Sequence, residues 1–320
     1  MKVLSVLFYI FSILGAIVGA GFMSGAEIYS FFSRFGAIGY IGIAVNCVLY
    51  SLCMVIYHLK NAKSYNLVLK SEQKPTILSV CQLCMCASMV AGLTELFAEF
   101  GISKVLVAFV VLFLLFVALC FGVRGANVFN VFVSACLILS IPFVVYDGGF
   151  RFLPHLDSSL FAVVAMSISY VAMNMVSSLP IIRHVCEKNS TKNVIVISVA
   201  LGFLMFLILT LFAGFCGSDS SMPILNVIQK PWFKTTYSVL VSLAMVSTLL
   251  SSGVGAKLTF SKFGNLISSF FVSVLSVLFS FVGFKNIITY VYPVIGGVVL
   301  IRFVVIICCD LFCKKQKTIF

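Results

Sequence analysis

Charge is what this chain lacks. Only 9% of its 320 residues are Asp, Glu, Lys or Arg, against about a quarter in soluble globular domains. That scarcity excludes a soluble domain of ordinary surface. Acids are scarcest, nine against 21 basic side chains, and there are three histidines and one tryptophan. Catalytic signatures are missing as well. There is no His-Glu-x-x-His, no Gly-x-Ser-x-Gly and no Gly-Lys-Ser/Thr phosphate loop. The chain therefore reads as no enzyme and as needing no cofactor, and the missing phosphate loop argues against ATP-driven transport by this chain alone.

Apolar residues fill the space that charge leaves. They make up 62% of the chain, and the mean hydropathy is +1.20, the composition of an integral membrane protein. Ten apolar runs can be read, at about 3–33, 36–57, 76–100, 104–122, 126–146, 159–182, 192–217, 235–256, 263–283 and 286–311. The net charge of +12 raises the question of a nucleic-acid partner. The basic residues answer it, because they lie in the stretches between runs, and no nucleic acid is expected. With ten spans and a cytoplasmic N-terminus, Lys2, Lys60, Lys63, Lys70, Lys74, Arg124, Arg183, Lys188, Lys192, Lys257, Lys262, Lys314, Lys315 and Lys317 face inward, which is 14. Arg34, Lys104, Arg151, Lys230, Lys234 and Lys285 face outward, which is 6. This bias predicts a multi-pass cell-membrane protein with both termini in the cytoplasm. Small residues at Ala16 and Ala20 imitate a signal-peptide cleavage site. The apolar run continues past them, so the segment reads as a first span.

Twelve cysteines do not make a disulfide framework here, since most fall within runs, where Cys behaves as a small hydrophobe. Cys81-x-x-Cys84-x-Cys86 falls short of the about four ligands that zinc requires, and core packing is its plainer reading.

The first run is the most informative. Between Lys2 and Arg34 stand 31 residues with Glu27 as their one charge. One straight helix of that length would span about 46 Å, where a bilayer core of about 30 Å needs about 20 residues. Gly19-Ala20-Gly21-Phe22-Met23-Ser24-Gly25-Ala26-Glu27 concentrates glycine at mid-run, where helix is weakest. Ser24-x-x-Glu27 has the form of a capping box, which predicts a second half-helix starting there. A break at membrane depth is tolerated only where protein buries it or it lines a cavity, and in transporters such breaks form solute and ion sites. Close helix packing through Gly15-x-x-x-Gly19 and Gly21-x-x-x-Gly25 is the structural alternative.

Ten runs divide into five and five at Tyr146-Asp147-Gly148-Gly149-Phe150-Arg151. The expected units are a first repeat over 1–146 and an inverted second repeat over 159–313 within one membrane domain. Run six should then mirror run one. Its polar patch from Ser167 to Ser178, with Tyr170 and Asn174, followed by Pro180, predicts a second broken helix. No direct similarity between the halves is visible.

Other polar residues in the runs carry two readings each. Glu27, charged and unpartnered at the bilayer centre, would cost about 2–4 kcal/mol. It either carries a proton or faces a cation, or it caps the half-helix through the Ser24 N–H. Glu95 and Glu99, one turn apart, repel each other. Either Lys104 neutralises them, or one is protonated, or they form a solvated helix end. Ser247-Thr248-Leu249-Leu250-Ser251-Ser252 either bonds back to its own helix or offers hydroxyls to a hard cation such as Na⁺. Arg302 either snorkels or pairs with a buried acid, and Asp310 reads as interfacial. Trp232 and Tyr237 read as interface anchors.

Gly19-Ala20-Gly21-Phe22-Met23-Ser24-Gly25-Ala26-Glu27-Ile28, then Phe31-Phe32 and Gly36, resembles the opening motif of YkvI-like membrane proteins. Tyr170-Val171-x-x-Asn174 and Tyr292-Pro293-x-x-Gly296 resemble later motifs of that family, and the likeness runs over nearly the whole chain. The family is similar to the amino acid–polyamine–organocation superfamily. That resemblance implies an all-α LeuT-type fold, five plus five inverted helices with helices one and six broken. It also implies secondary transport, a cation-coupled symporter of a small solute such as an amino acid, driven by Na⁺ or H⁺. By the same resemblance the break at Gly19, Ala20, Gly21, Phe22 and Ser24 would hold the solute, with Tyr170 and Asn174 opposite. Glu27, Ser247, Thr248, Ser251 and Ser252 are the candidates for ion or proton coupling. Ala26-Glu27 departs from the superfamily's usual apolar continuation. An ion channel and a solute receptor on a transporter fold are the alternatives. A channel would need a continuous polar lining or a charged ring, and the acids are too scattered for one.

Overall fold

The computed structural model describes residues 3–17, 20–59, 77–121, 126–156, 158–217 and 219–301, and among these every regular element is helical. The first run yields three pieces, α1 (Val3–Ile17), α2 (Ala20–Ser24) and α3 (Ala26–Phe31). A 3₁₀ turn over Ser33–Ile38 leads into α4 (Gly39–Leu59). Then follow α5 (Ile77–Ala98), α6 (Lys104–Phe121), α7 (Ala126–Gly148), α8 (Leu160–Lys188) and α9 (Thr191–Ala213). The chain continues with the short α10 (Pro223–Val227), α11 (Pro231–Ala256), a 3₁₀ stretch over Lys257–Phe263 and α12 (Asn265–Ser280). The last described element is α13 (Phe284–Ile301). Seven described helices are long and apolar enough to cross a membrane, and Ser5–Ile17 and Asn265–Ser280 are shorter apolar helices. This is an all-α polytopic membrane protein.

Its burial is inverted relative to a soluble domain. Phe109, Phe113, Phe121 and Phe203 stand outward, while Ser24, Ser88, Ser167, Ser178 and Ser269 are buried. Lipid is as apolar as any core, so large hydrophobes can line the outside, and small hydroxyls that satisfy one another can fill the seams. The two halves of the chain interlock. α5 packs on α11 and α12, α4 on α8 and α9, and α1 on α7 and α8.

The first run is interrupted inside the glycine-rich stretch, one residue past the Ser24 of the capping box, although Ala20–Ser24, expected to be non-helical, is helix. Ala20–Ser24 is helical, and the chain turns at Gly25, whose φ is +86°. That left-handed value is open to Gly at little cost. A Cβ at Gly25 would also stand 2.6 Å from Cys216 Sγ. The capping box does not form. Ser24 closes the α2 turn by donating to Gly21 O (3.1 Å) and accepts from Ala26 N (3.2 Å), while Glu27 turns away from the Ser24 N–H toward α8. Gly19 lies outside the described residues, as do Lys60–Lys74, Arg302 and Asp310.

The break expected in run six is absent, since α8 is continuous over Leu160–Lys188. Much of its polar patch bonds back to its own helix. Ser167 Oγ donates to Val163 O (2.8 Å), Asn174 Nδ2 to Tyr170 O (3.0 Å), Ser177 Oγ to Asn174 O (2.9 Å) and Ser178 Oγ to Asn174 O (2.6 Å). Such back-bonding keeps polar side chains inside a helix without breaking it. Irregularity appears instead in the tenth run, as a π turn over Ile287–Val291. Pro293 has no N–H for the Thr289 carbonyl, and its ring crowds that carbonyl, so the preceding turn widens.

Two further expectations change. Tyr237 is fully buried rather than interfacial, whereas Trp232 is exposed. Glu95 is no solvated helix end. Its Oε1 accepts the Phe284 N–H at 2.8 Å, which caps α13 from a neighbouring helix. Glu99 pairs at 3.7 Å with Lys234 rather than with Lys104.

Candidate binding site

The left-handed turn at Gly25 carries α3 back across the bundle. It sets Glu27, which is 4% exposed, against Gly21 on one side and α8 on the other. The carboxyl lies directly over the Gly21 Cα, in the space a side chain there would need. Tyr170 Oη donates to Glu27 Oε2 at 3.3 Å. Among the described residues Glu27 has no ion-pair partner, and none donates to its other oxygen.

Tyr170 is held in place for this contact. Its ring centroid lies 4.8 Å from that of Phe31 and 5.3 Å from that of Phe32, and its carbonyl takes the Asn174 amide. Around this centre Ser30 and Thr289 share a hydrogen bond of 3.4 Å, linking α3 to the π turn. Ser88 and Tyr292 share another of 2.5 Å, linking α5 to α13. Ser169 Oγ donates to Pro293 O at 2.9 Å, bringing α13 against α8. Tyr237 Oη donates to Met23 O at 2.9 Å, so α11 takes up a carbonyl that the end of α2 leaves open.

Of the residues singled out in the sequence, the structure brings Gly21, Glu27 and Tyr170 together, with Asn174 one turn behind. Phe22 points elsewhere and packs edge-on against Phe212 of α9, 5.8 Å between centroids. Ser24 is buried and holds the turn, and Ala20 lies in the α2 helix. The hydroxyl cluster of α11 stands apart from them. Ser247 is ten residues beyond Tyr237, about 15 Å along the helix. The contacts of that stretch go to α5 and α6: Cys86 Sγ donates to Leu249 O (3.4 Å), and Gly253 packs on Leu115 and Leu119. Ser251 is exposed and bonds back to Ser247 O and Thr248 O, each at 3.1 Å. Ser252 and Ser247 are buried, and Thr248 is half-buried.

Sequence reasoning missed Asn46. This residue of α4 is 1% exposed, its Nδ2 reaches Cys47 Sγ at 3.9 Å, and its Oδ1 has no hydrogen-bond partner among the described residues. A lone amide within an apolar run was the available signal. Ser30, Ser88 and Thr289 were missed too, because single hydroxyls are common in spans and only their pairing across helices distinguishes them.

No family model matches the chain. It is 27% identical to the uncharacterized membrane protein YkvI of Bacillus subtilis (strain 168), over 90% of this chain and 91% of that protein. This similarity supports a YkvI-like membrane protein, in keeping with the motif resemblance, and fits the apolar helices of the structure.

Proposed function

We propose that the protein is a secondary active transporter of a small solute such as an amino acid, coupled to a cation. The observation that carries this reading is the interrupted first run. At Gly25 it turns inside the bundle and sets a buried carboxyl, Glu27, beside Tyr170 of a helix from the other half of the chain. Broken helices that bring polar groups to the centre of a helical membrane protein are the pattern of solute sites. The five-plus-five inverted arrangement within the superfamily that YkvI-like proteins resemble, with repeats over 1–146 and 159–313, belongs to this proposal. So do cytoplasmic termini, for which the 14-to-6 distribution of basic residues argues. The coupling ion is Na⁺ or H⁺, with the hydroxyls of Ser247, Thr248, Ser251 and Ser252 as candidate Na⁺ ligands.

Reconstitution tests it. Purified protein in liposomes should accumulate a labelled solute, chosen by a thermal-shift screen of amino acids and small amines, only under a Na⁺ or proton gradient. Gradient-independent equilibration would favour a channel. Binding without any flux would favour a receptor.

A further inference from the structure

Two acceptor oxygens at one level of the bundle, on the buried residues Glu27 and Asn46, have no donor among the described residues, and they say more about the solute than the break does. Glu27 Oε1 receives no hydrogen bond among the described residues, and Asn46 Oδ1 has none either. Their common level follows from helix register. Residues 42, 46 and 50 of α4 share one stripe, as do 163, 167, 170, 174 and 178 of α8. Gly42 packs on Val163 and Ser167, and Tyr50 hydrogen-bonds Ser178 at 2.5 Å. Asn46 therefore falls midway between these contacts, level with the Tyr170–Asn174 turn. Tyr170 Oη donates its one proton to Glu27, so its oxygen keeps acceptor capacity. A buried polar group normally finds a partner. Here three oxygens from three helices remain able to accept among the described residues, and one belongs to a carboxyl with no described cation beside it.

We propose that Glu27, Asn46 and Tyr170 form a subsite for the primary ammonium group of the solute, an inference that rests on the transporter reading above. An ammonium presents three donors, matching the three available acceptors, whereas a hard metal cation asks for about six oxygens. The rings of Phe31 and Phe32, packed on Tyr170, add faces that attract a cation. The same geometry removes the case for an anionic group at the break. The space over Gly21 is filled by the protein's own carboxyl, and the turn that opens α3 is covered by Cys216 and Ile224.

The test uses full-length purified protein in detergent, with methylammonium chloride as probe against sodium chloride and N-methylglucamine chloride at equal ionic strength. Methylammonium should raise the melting temperature in a saturable way. Glu27→Gln, which keeps the shape and removes the charge, should weaken its binding by at least about tenfold. Asn46→Leu and Tyr170→Phe should each weaken it less. If Glu27→Gln fails to fold, the two milder variants still decide: unchanged methylammonium binding in both overturns the subsite. So does the absence of any methylammonium shift in the native protein, or a Glu27-dependent shift with Na⁺ alone, which would make this an alkali-ion site. Saturable methylammonium binding without solute flux in liposomes would overturn the transporter reading and leave the subsite standing.

Discussion

Runs one and six were both expected to break, and only one does. Run one turns at Gly25, where a left-handed φ of +86° and the close approach of Cys216 exclude a side chain. Run six crowds its polar side chains into Ser167–Ser178, yet Ser167, Asn174, Ser177 and Ser178 return hydrogen bonds to the helix, which stays intact. Polarity inside a span therefore does not open it. A backbone conformation that L residues resist, enforced by packing, does. The two also differ in what they leave over. Run six returns most of its hydroxyl and amide bonds to its own helix, while run one delivers a carboxyl whose only described partner is a phenol from run six.

The largest effect should come from removing what distinguishes run one. Gly25→Ala imposes an unfavourable left-handed φ and sets its Cβ 2.6 Å from Cys216 Sγ. The expected loss is about 1–3 kcal/mol for the strain alone, read as a fall in melting temperature together with lost solute binding. Adding Cys216→Ala should recover the steric part and leave the conformational part. Unchanged stability and binding in Gly25→Ala would show that the turn is no constraint.

Gly21→Val comes next. Its side chain takes the space of the Glu27 carboxyl, so the folded protein should lose solute binding, or at least methylammonium binding. Gly15→Val, on the regular helix α1, should change stability and leave binding within about twofold. Equal binding by the two variants, each shown to be folded, would detach run one from the site.

The smallest effect belongs to run six. Ser177→Ala removes a bond to its own helix, and a cost of about 0.5–1.5 kcal/mol at most is expected. A binding assay should return the native affinity. A large loss of affinity would mean that the polar patch serves the solute after all, and the contrast between the two runs would fail.

Hydropathy and charge placement made the helical membrane class legible from sequence. Each apolar run carries helix, because a chain in lipid must satisfy its backbone within the segment. The excess length of run one and its glycines likewise announced an interruption. The residue that turns was not legible within that stretch. Gly21 and Gly25 both permit a turn, and of these two it is Gly25 that turns, where Cys216 and Ile224, some 190 to 200 residues away in the chain, pack against it. Capping signals failed for the same reason: the Glu27 carboxyl had a phenol from another helix to meet, and local bonding to Ser24 gave way to it. Glu95 was left between pairing with Lys104, protonation and a solvated helix end, since nothing local reveals that the Phe284 N–H lies within 2.8 Å. The sequence by itself determined which segments are helical and where backbone could bend, because periodicity, glycine and proline act within a few residues. Only the tertiary structure decided which bend is used, which polar groups are satisfied and that the buried Asn46 Oδ1 is left without a partner among the described residues. Those outcomes depend on which helix faces which, and no local pattern encodes that.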